Sequence, residues 1–140
     1  MKEQFLGITL TDNLPSPEAF QQLRIKAGLS PRNPDYIAKA LQNSFCCVTL
    51  WQGSKLIGMG RIIGDGGTAY QIVDIAIDPE FQGQGFGKQV MNQLKQYIDH
   101  EIPREAYVSL IADGLAKELY KQFGFEETLP MSTGMYYKRT

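Results

Sequence analysis

The chain is poor in the residues that usually carry redox, metal or covalent chemistry: of 140 residues, two are cysteine and one is histidine. Cys46 and Cys47 are adjacent, and neighbouring strand residues face opposite sides of a sheet, so a disulfide between them is geometrically poor. No metal-ligand spacing surrounds them, and they read as two small buried hydrophobes. The lone His100, at a helix end, argues against a histidine-based triad. A basic excess is also missing. Fourteen Lys and Arg stand against fifteen Asp and Glu, a net charge of −1, which is not the footprint of a nucleic-acid binder. No window approaches the ~18 continuous apolar residues of a membrane span. The opening MKEQFLGITLTDNLP is too acidic and too short in its apolar stretch for a signal peptide. The expectation is a soluble cytoplasmic protein with no nucleic-acid or membrane partner. What is present is 43% hydrophobic and 11% aromatic residues, enough for one ordinary core at this length. No composition break or repeat suggests a second domain.

Hydrophobic periodicity and turn chemistry divide the chain. Residues 3–10 read as a strand. Ser16 followed by Pro17 marks a helix start, with Phe20, Leu23 and Ala27 on one face. Pro31 and Pro34 precede a second short helix carrying Ile37, Ala40 and Leu41. Strand-like runs over 45–51, 56–63 and 70–77 are separated by Gly53-Ser54 and Asp65-Gly66-Gly67, which predicts an antiparallel meander. Phe86, Val90, Met91, Leu94 and Ile98 then mark one face of a long helix. A strand over 107–112, a helix bearing Leu115, Leu119 and Phe123, and strand-like segments near Phe125 and over 135–138 complete the reading. A strand, long helix and strand in series imply one parallel pair in a mainly antiparallel sheet. The class is α+β, or mixed α/β, with about four flanking helices.

The segment Gln82-Gly83-Gln84-Gly85-Phe86-Gly87-Lys88 lies between a strand and the long helix. Three alternate glycines let the backbone approach a ligand closely, and the first amides of the helix have no intrahelical partner. Such an end binds phosphate oxygens, and a pyrophosphate is the obvious guest. A phosphate-binding P-loop would need Gly and Ser or Thr where Gln82 and Gln89 stand. A dinucleotide fingerprint would need Gly where Lys88 stands.

Gln82 to Gly87 instead matches the Q/R-x-x-G-x-G/A signature of the GNAT superfamily of acyl-CoA-dependent N-acetyltransferases. The preceding Val73-Asp74-Ile75-Ala76-Ile77-Asp78-Pro79 resembles the family's strand and turn into that loop. Asp113-x-x-Ala116-x-x-Leu119-Tyr120-x-x-x-Gly124-Phe125 resembles its second helical motif, at the family's usual distance. The resemblance covers about residues 55–126 and implies a GNAT-like N-acetyltransferase domain spanning 1–140. It implies acetyl-CoA or coenzyme A as cofactor, an amine acceptor, direct transfer in a ternary complex, and homodimerisation as a family habit.

By resemblance, the backbone of Ile75, Ala76 and Ile77 would hold the pantetheine arm, and the amides of Gln82, Gly83, Gln84, Gly85, Phe86, Gly87 and Lys88 the pyrophosphate. Tyr120 takes the position of the general acid. With a reference pKa near 10 it is protonated at neutral pH and can donate to a departing thiolate. An alkylammonium near 10.4 is roughly one part in a thousand neutral at pH 7, so a base is needed. Asp74, charged within an apolar strand, is the candidate; a salt bridge to Arg61 and a substrate anchor are its competing roles. Asp113 departs from the family's common Asn; it can cap the following helix, and a cofactor contact is its second role. Lys88 and Lys117 could meet phosphates or stand as solvated lysines. Phe20, Arg24, Tyr36, Met135 and Tyr136, with Arg61, are the expected acceptor-binding residues. Aromatic and Met content suits a small amine with an apolar body; Arg24, Arg32 and Arg61 suit an acidic or phosphorylated one. The small-molecule acceptor is preferred. A non-catalytic acyl-CoA sensor and a protein or peptide acetyltransferase are the rivals.

Overall fold

The structure, a computed structural model, describes residues 2–5 and 7–139, with side chains described from residue 7 onward except Leu115. Its strands are β1 (Lys2–Phe5), β2 (Ile8–Thr11), β3 (Cys46–Gln52), β4 (Lys55–Gly64), β5 (Ala69–Ile77) and β6 (Tyr107–Ser109). The helices are α1 (Pro17–Lys26), α2 (Pro34–Gln42), α3 (Phe86–Glu101) and α4 (Lys117–Lys121), with short 3-10 turns at Pro79–Phe81 and Gly114–Ala116. The strands form one sheet in chain order; every neighbouring pair is antiparallel except β5 and β6. This is the mixed sheet with four helices expected from the pattern. No helix among the described residues is long and apolar enough to cross a membrane.

Local chemistry accounts for the boundaries. Ser16 Oγ accepts from the Ala19 amide at 3.1 Å and Asn33 Oδ1 from the Asp35 amide at 3.0 Å, each before a proline in the first turn. The β4–β5 turn closes on Asp65, whose Oδ1 accepts from the Gly67 and Thr68 amides, both at 2.8 Å. These bonds, led by Gly67 and Ala69, hold the Asp65 carboxyl well below the usual range.

Two apolar clusters sandwich the sheet. Phe20, Leu23, Ile37 and Leu41 of α1 and α2 pack on Leu56, Met59 and Ala76. Phe86, Val90, Met91 and Leu94 of α3 pack on the opposite face, against Val48, Leu50, Ile57 and Ile62. β4 therefore runs through the middle of the core. A Cβ at Gly60 would stand 2.6 Å from Ile75 Cδ1 and 2.8 Å from Val90 Cγ1, so only glycine lets α3 sit this close.

Three strand expectations need correction. Residues 3–10 form two strands, because the chain reverses between Phe5 and Ile8 into an antiparallel pair; Leu6 lies outside the described residues. β6 ends at Ser109, short of the expected 112. No strand forms near Phe125 or over 135–138. Met135, Tyr136 and Tyr137 are 86%, 83% and 84% exposed, so the apolar pattern there has no sheet face to bury it. The last helix is also shorter than expected: α4 ends at Lys121, before Phe123.

Candidate functional site

The site grows from a fault in the β4–β5 ladder. Met59 pairs with Ala76, but Arg61 pairs with Val73, so Asp74 and Ile75 together oppose Gly60. This is a β-bulge. Asp74 takes its extra turn at φ 59°, a left-handed conformation that Asp and Asn tolerate better than other non-glycine residues. On its other side, β5 pairs with β6 only from Ala69 to Gln71. Among the described residues no strand covers that side of β5 from Ile72 to Ile77. An exposed strand edge of this kind is a template for an extended ligand.

At the end of that edge the chain turns through buried Asp78 into the glycine segment. Asp78 Oδ1 accepts from the Glu80 amide at 3.0 Å, and the Lys26 and Lys55 ammoniums lie 3.7 and 3.8 Å from its Oδ2. The Gln82 side chain donates to the Ile77 carbonyl at 3.0 Å, folding the loop back on the strand. Gly85 is the N-cap of α3 at φ 88°, and a Cβ on Gly83 or Gly85 would meet nothing within 4 Å. The Gln89 amide makes the first bond of the helix, to the Gly85 carbonyl at 3.2 Å. The amides of Phe86, Gly87 and Lys88 thus stand at the unpaired positive end of a helix of sixteen residues.

A cavity of about 350 Å³ lies along this edge, lined by Ile75, Ile77, Gln82, Gly83, Gly87 and Tyr120 among others. A second, of about 530 Å³, lies between the loop after α1, the bulge of β5 and the start of α4; Arg24, Arg32, Asp74, Asp113 and Tyr120 line it. A third, of about 410 Å³, lies under the C-terminal segment and also reaches Tyr120. Tyr120 is the one residue common to all three. It is 9% exposed, and burial, aided by the nearby Asp113 charge, raises its phenol above the ordinary value.

The other expected site residues separate into groups. Arg24 and Arg61 both converge on Asp74: Arg24 Nη1 donates to Oδ1, and Arg61 Nε donates to Oδ2 at 2.6 Å. The bridge to Arg61 read from the hairpin is therefore present, and Arg24 is added to it across 50 positions. Asp113 faces the larger cavity and not the glycine segment. Gln84 and Lys88 line none of these three cavities. Phe86 is a core residue, stacked edge-on against Phe81 with centroids 6.3 Å apart, so its ring adds packing below the loop.

Among the expected acceptor residues, Phe20 is in the core at 2% exposure, with the Arg61 guanidinium 5.9 Å above its ring. Tyr36 and Tyr136 are 67% and 83% exposed and line none of the three cavities. Met135 reaches only the third. Aromatic content alone misled here, because it cannot separate a core ring from a surface one. The cysteines carry no accessible thiolate: burial first pushes Cys46 up to about 12 and Cys47 up to about 11. His100 is occupied by the Gln96 carbonyl, 2.7 Å from its Nδ1. Sequence reasoning missed Gln21 and Ser30, which organise the loop after α1, because polar residues in a short loop give no periodic signal.

Residues 18–133 match the model of the acetyltransferase (GNAT) domain. An N-acetyltransferase, ycf52, of Porphyra purpurea, described as uncharacterised, is 32% identical over 98% of this chain and 78% of its own. GCN5-related N-acetyltransferase 2, chloroplastic, of Arabidopsis thaliana is 32% identical over 76% of this chain; the match spans 49% of that relative, about half its length. A Staphylococcus aureus protein of unknown function, described from its crystal structure as a probable acetyltransferase, superposes with a TM-score of 0.90. It is 46% identical and covers 94% of this chain and 99% of its own.

Proposed function

The chain belongs to the GNAT acetyltransferase family, and on that premise we propose that it transfers the acetyl group of acetyl-CoA to the primary amine of a small molecule, by direct attack with both substrates bound. The observation that carries this reading is Tyr120, placed where the edge cavity and the larger cavity meet.

The residues present fit the cofactor. The uncovered edge of β5 offers backbone groups to an amide-bearing arm, in the manner of an added strand. The amides of Phe86, Gly87 and Lys88 offer donors to a pyrophosphate, and the open space at Gly83 and Gly85 lets it approach. When bound, acetyl-CoA supplies an acyl group activated as a thioester. Tyr120 holds its proton at Oη throughout the neutral range, because burial keeps the phenol in its acid form; it donates that proton to the departing sulfur and regains one from water.

Asp74 acts as the anchor of the cleft and not as the base, since each of its oxygens already accepts from a guanidinium. It holds the bulge that opens the β5 edge. The amine sheds its proton to water at the open side of the larger cavity. That cavity's volume of about 530 Å³ suits a small acceptor, within the usual 300–1,000 Å³ of ligand pockets. A covalent relay through cysteine is disfavoured, because neither thiol lines these cavities and burial raises both.

Thiol release from acetyl-CoA, measured over a panel of amines, tests the activity. Tyr120→Phe should lower kcat by roughly 100-fold or more with CoA affinity unchanged. Unchanged turnover would remove Tyr120 from the mechanism.

A further inference from the structure

The larger cavity is lined by two guanidiniums, Arg24 and Arg32, and two carboxylates, Asp74 and Asp113, which lie on different walls. Arg24, Arg61 and Asp74 form one buried cluster with side chains 4%, 11% and 6% exposed. One carboxylate thus serves two guanidiniums. Arg32 lines the same cavity as Arg24, and among the described residues no carboxylate pairs with it. Asp74 is shared between Arg24 and Arg61 and does not balance Arg32, so positive charge gathers at the loop after α1.

These charges are held together. Arg24 Nη2 and Arg32 Nη1 converge on one hydroxyl, Ser30 Oγ, at 3.5 and 2.8 Å, and Arg24 Nε donates to the Ser30 carbonyl at 2.9 Å. The Arg32 backbone is clamped from α1: its amide donates to Gln21 Oε1 at 2.9 Å, and Gln21 Nε2 donates to its carbonyl at 2.5 Å. A surface arginine does not need such fixing for solvation. Burial pulls the Arg24 guanidinium below its usual range, Asp74 opposes the fall, and the neighbouring Arg32 charge adds to it. Two like charges fixed around a hydroxyl lower each other's stability until an anion joins them, and guanidinium forks match carboxylate and phosphate oxygens. Asp113 stands on the opposite wall, beside Tyr120. The cavity is therefore positive at the loop after α1 and negative near the reacting end, an arrangement that orients an acceptor with an amine at one end and an anion at the other.

We propose that the acceptor is an amine bearing a carboxylate or phosphate group, and that Arg32, fixed by Gln21 and paired through Ser30 with Arg24, determines this specificity. The proposal rests on the acetyltransferase reading of the same cleft. It is distinct from cofactor binding, since Arg32 lines the larger cavity and not the one along the glycine segment.

The test uses the full chain at saturating acetyl-CoA and matched acceptors: β-alanine against β-alaninamide, O-phosphoethanolamine against ethanolamine, and phenethylamine as an apolar amine. At least one anionic member should exceed its neutral partner in kcat/KM by about ten-fold or more, the usual worth of a charge-assisted hydrogen bond. Which pair shows the preference distinguishes carboxylate from phosphate. Arg32→Gln should abolish the preference through KM for the anionic members, with CoA affinity unchanged, and Arg32→Lys should restore part of it. Faster turnover of the neutral members, a preference untouched by Arg32→Gln, or CoA binding with no turnover of any member overturns the proposal. Absence of CoA binding overturns the acetyltransferase reading instead. The anion site is then read by calorimetric titration with inorganic phosphate, where binding weakened by Arg32→Gln supports it and no binding, or equal binding in both proteins, overturns it.

Discussion

Replacing Asp74 separates the roles that one carboxylate can play at the bulge. Its two oxygens join Arg24 to Arg61, and all three side chains are nearly inaccessible. Removing one partner of a buried ion pair costs about 3–5 kcal/mol, because the remaining charge is left uncompensated. The backbone at φ 59° adds a second component. Asn and Gly tolerate that conformation, whereas Ala pays roughly 1–2 kcal/mol for it. Asp74→Asn keeps the shape, the left-handed backbone and one acceptor oxygen, so its loss should be the smallest of the three. Asp74→Gly loses the charge but keeps the backbone. Asp74→Ala loses both, roughly 5 kcal/mol, which brings a domain of ordinary stability (about 5–15 kcal/mol) towards unfolding. Urea unfolding followed by the fluorescence of Trp51, the only tryptophan, measures the order. Stabilities ranked Asn, Gly, Ala, with Asn retaining turnover, fit an anchor. Equal stability of Asp74→Ala and the parent protein would refute the buried-cluster reasoning. A folded Asp74→Asn with turnover abolished and KM unchanged would return the role of base to this residue.

Other perturbations read different parts of the structure. Gly85→Ala should lose about 1 kcal/mol in a melt, from the left-handed backbone, and weaken CoA binding several-fold; tight CoA binding by this variant would show that the helix end is not the phosphate site. Because Tyr120 is raised above its ordinary value, its acid form persists as pH climbs, so any loss of kcat from this group should have its midpoint above about pH 10; a falling limb centred below pH 9 and absent in Tyr120→Phe would contradict the assignment. With Cys46 pushed up to about 12 and Cys47 up to about 11, iodoacetamide should label the folded chain only slowly at pH 8, and Cys46→Ala with Cys47→Ala should retain turnover. Rapid labelling of either thiol would reverse that conclusion.

What could be read in the sequence was what local rules govern. The apolar stripe of α3, the Ser16 and Asn33 starts with their prolines, and the glycine segment before Phe86 depend on neighbours a few positions away. The parallel pairing of β5 with β6 followed from the long helix between them. The partnership of Arg24 with Asp74 was invisible because it joins α1 to β5 across 50 positions, and only the packing of that helix on the sheet creates it. The bulge was equally hidden: a run such as Val73-Asp74-Ile75 looks like a strand with one polar residue, and the extra residue shows only against Gly60 on the neighbouring strand. The placement of two expected acceptor aromatics was hidden for a third reason. Phe20 and Tyr36 belong to the right helices, but helix rotation puts one in the core and the other in solvent.

Calorimetric titration of the full chain with coenzyme A tests the central claim most directly. The account predicts saturable one-site binding that weakens in Gly85→Ala and persists in Tyr120→Phe and Arg32→Gln. A folded chain that gives no binding heat, and releases no thiol from acetyl-CoA with any amine, would contradict it.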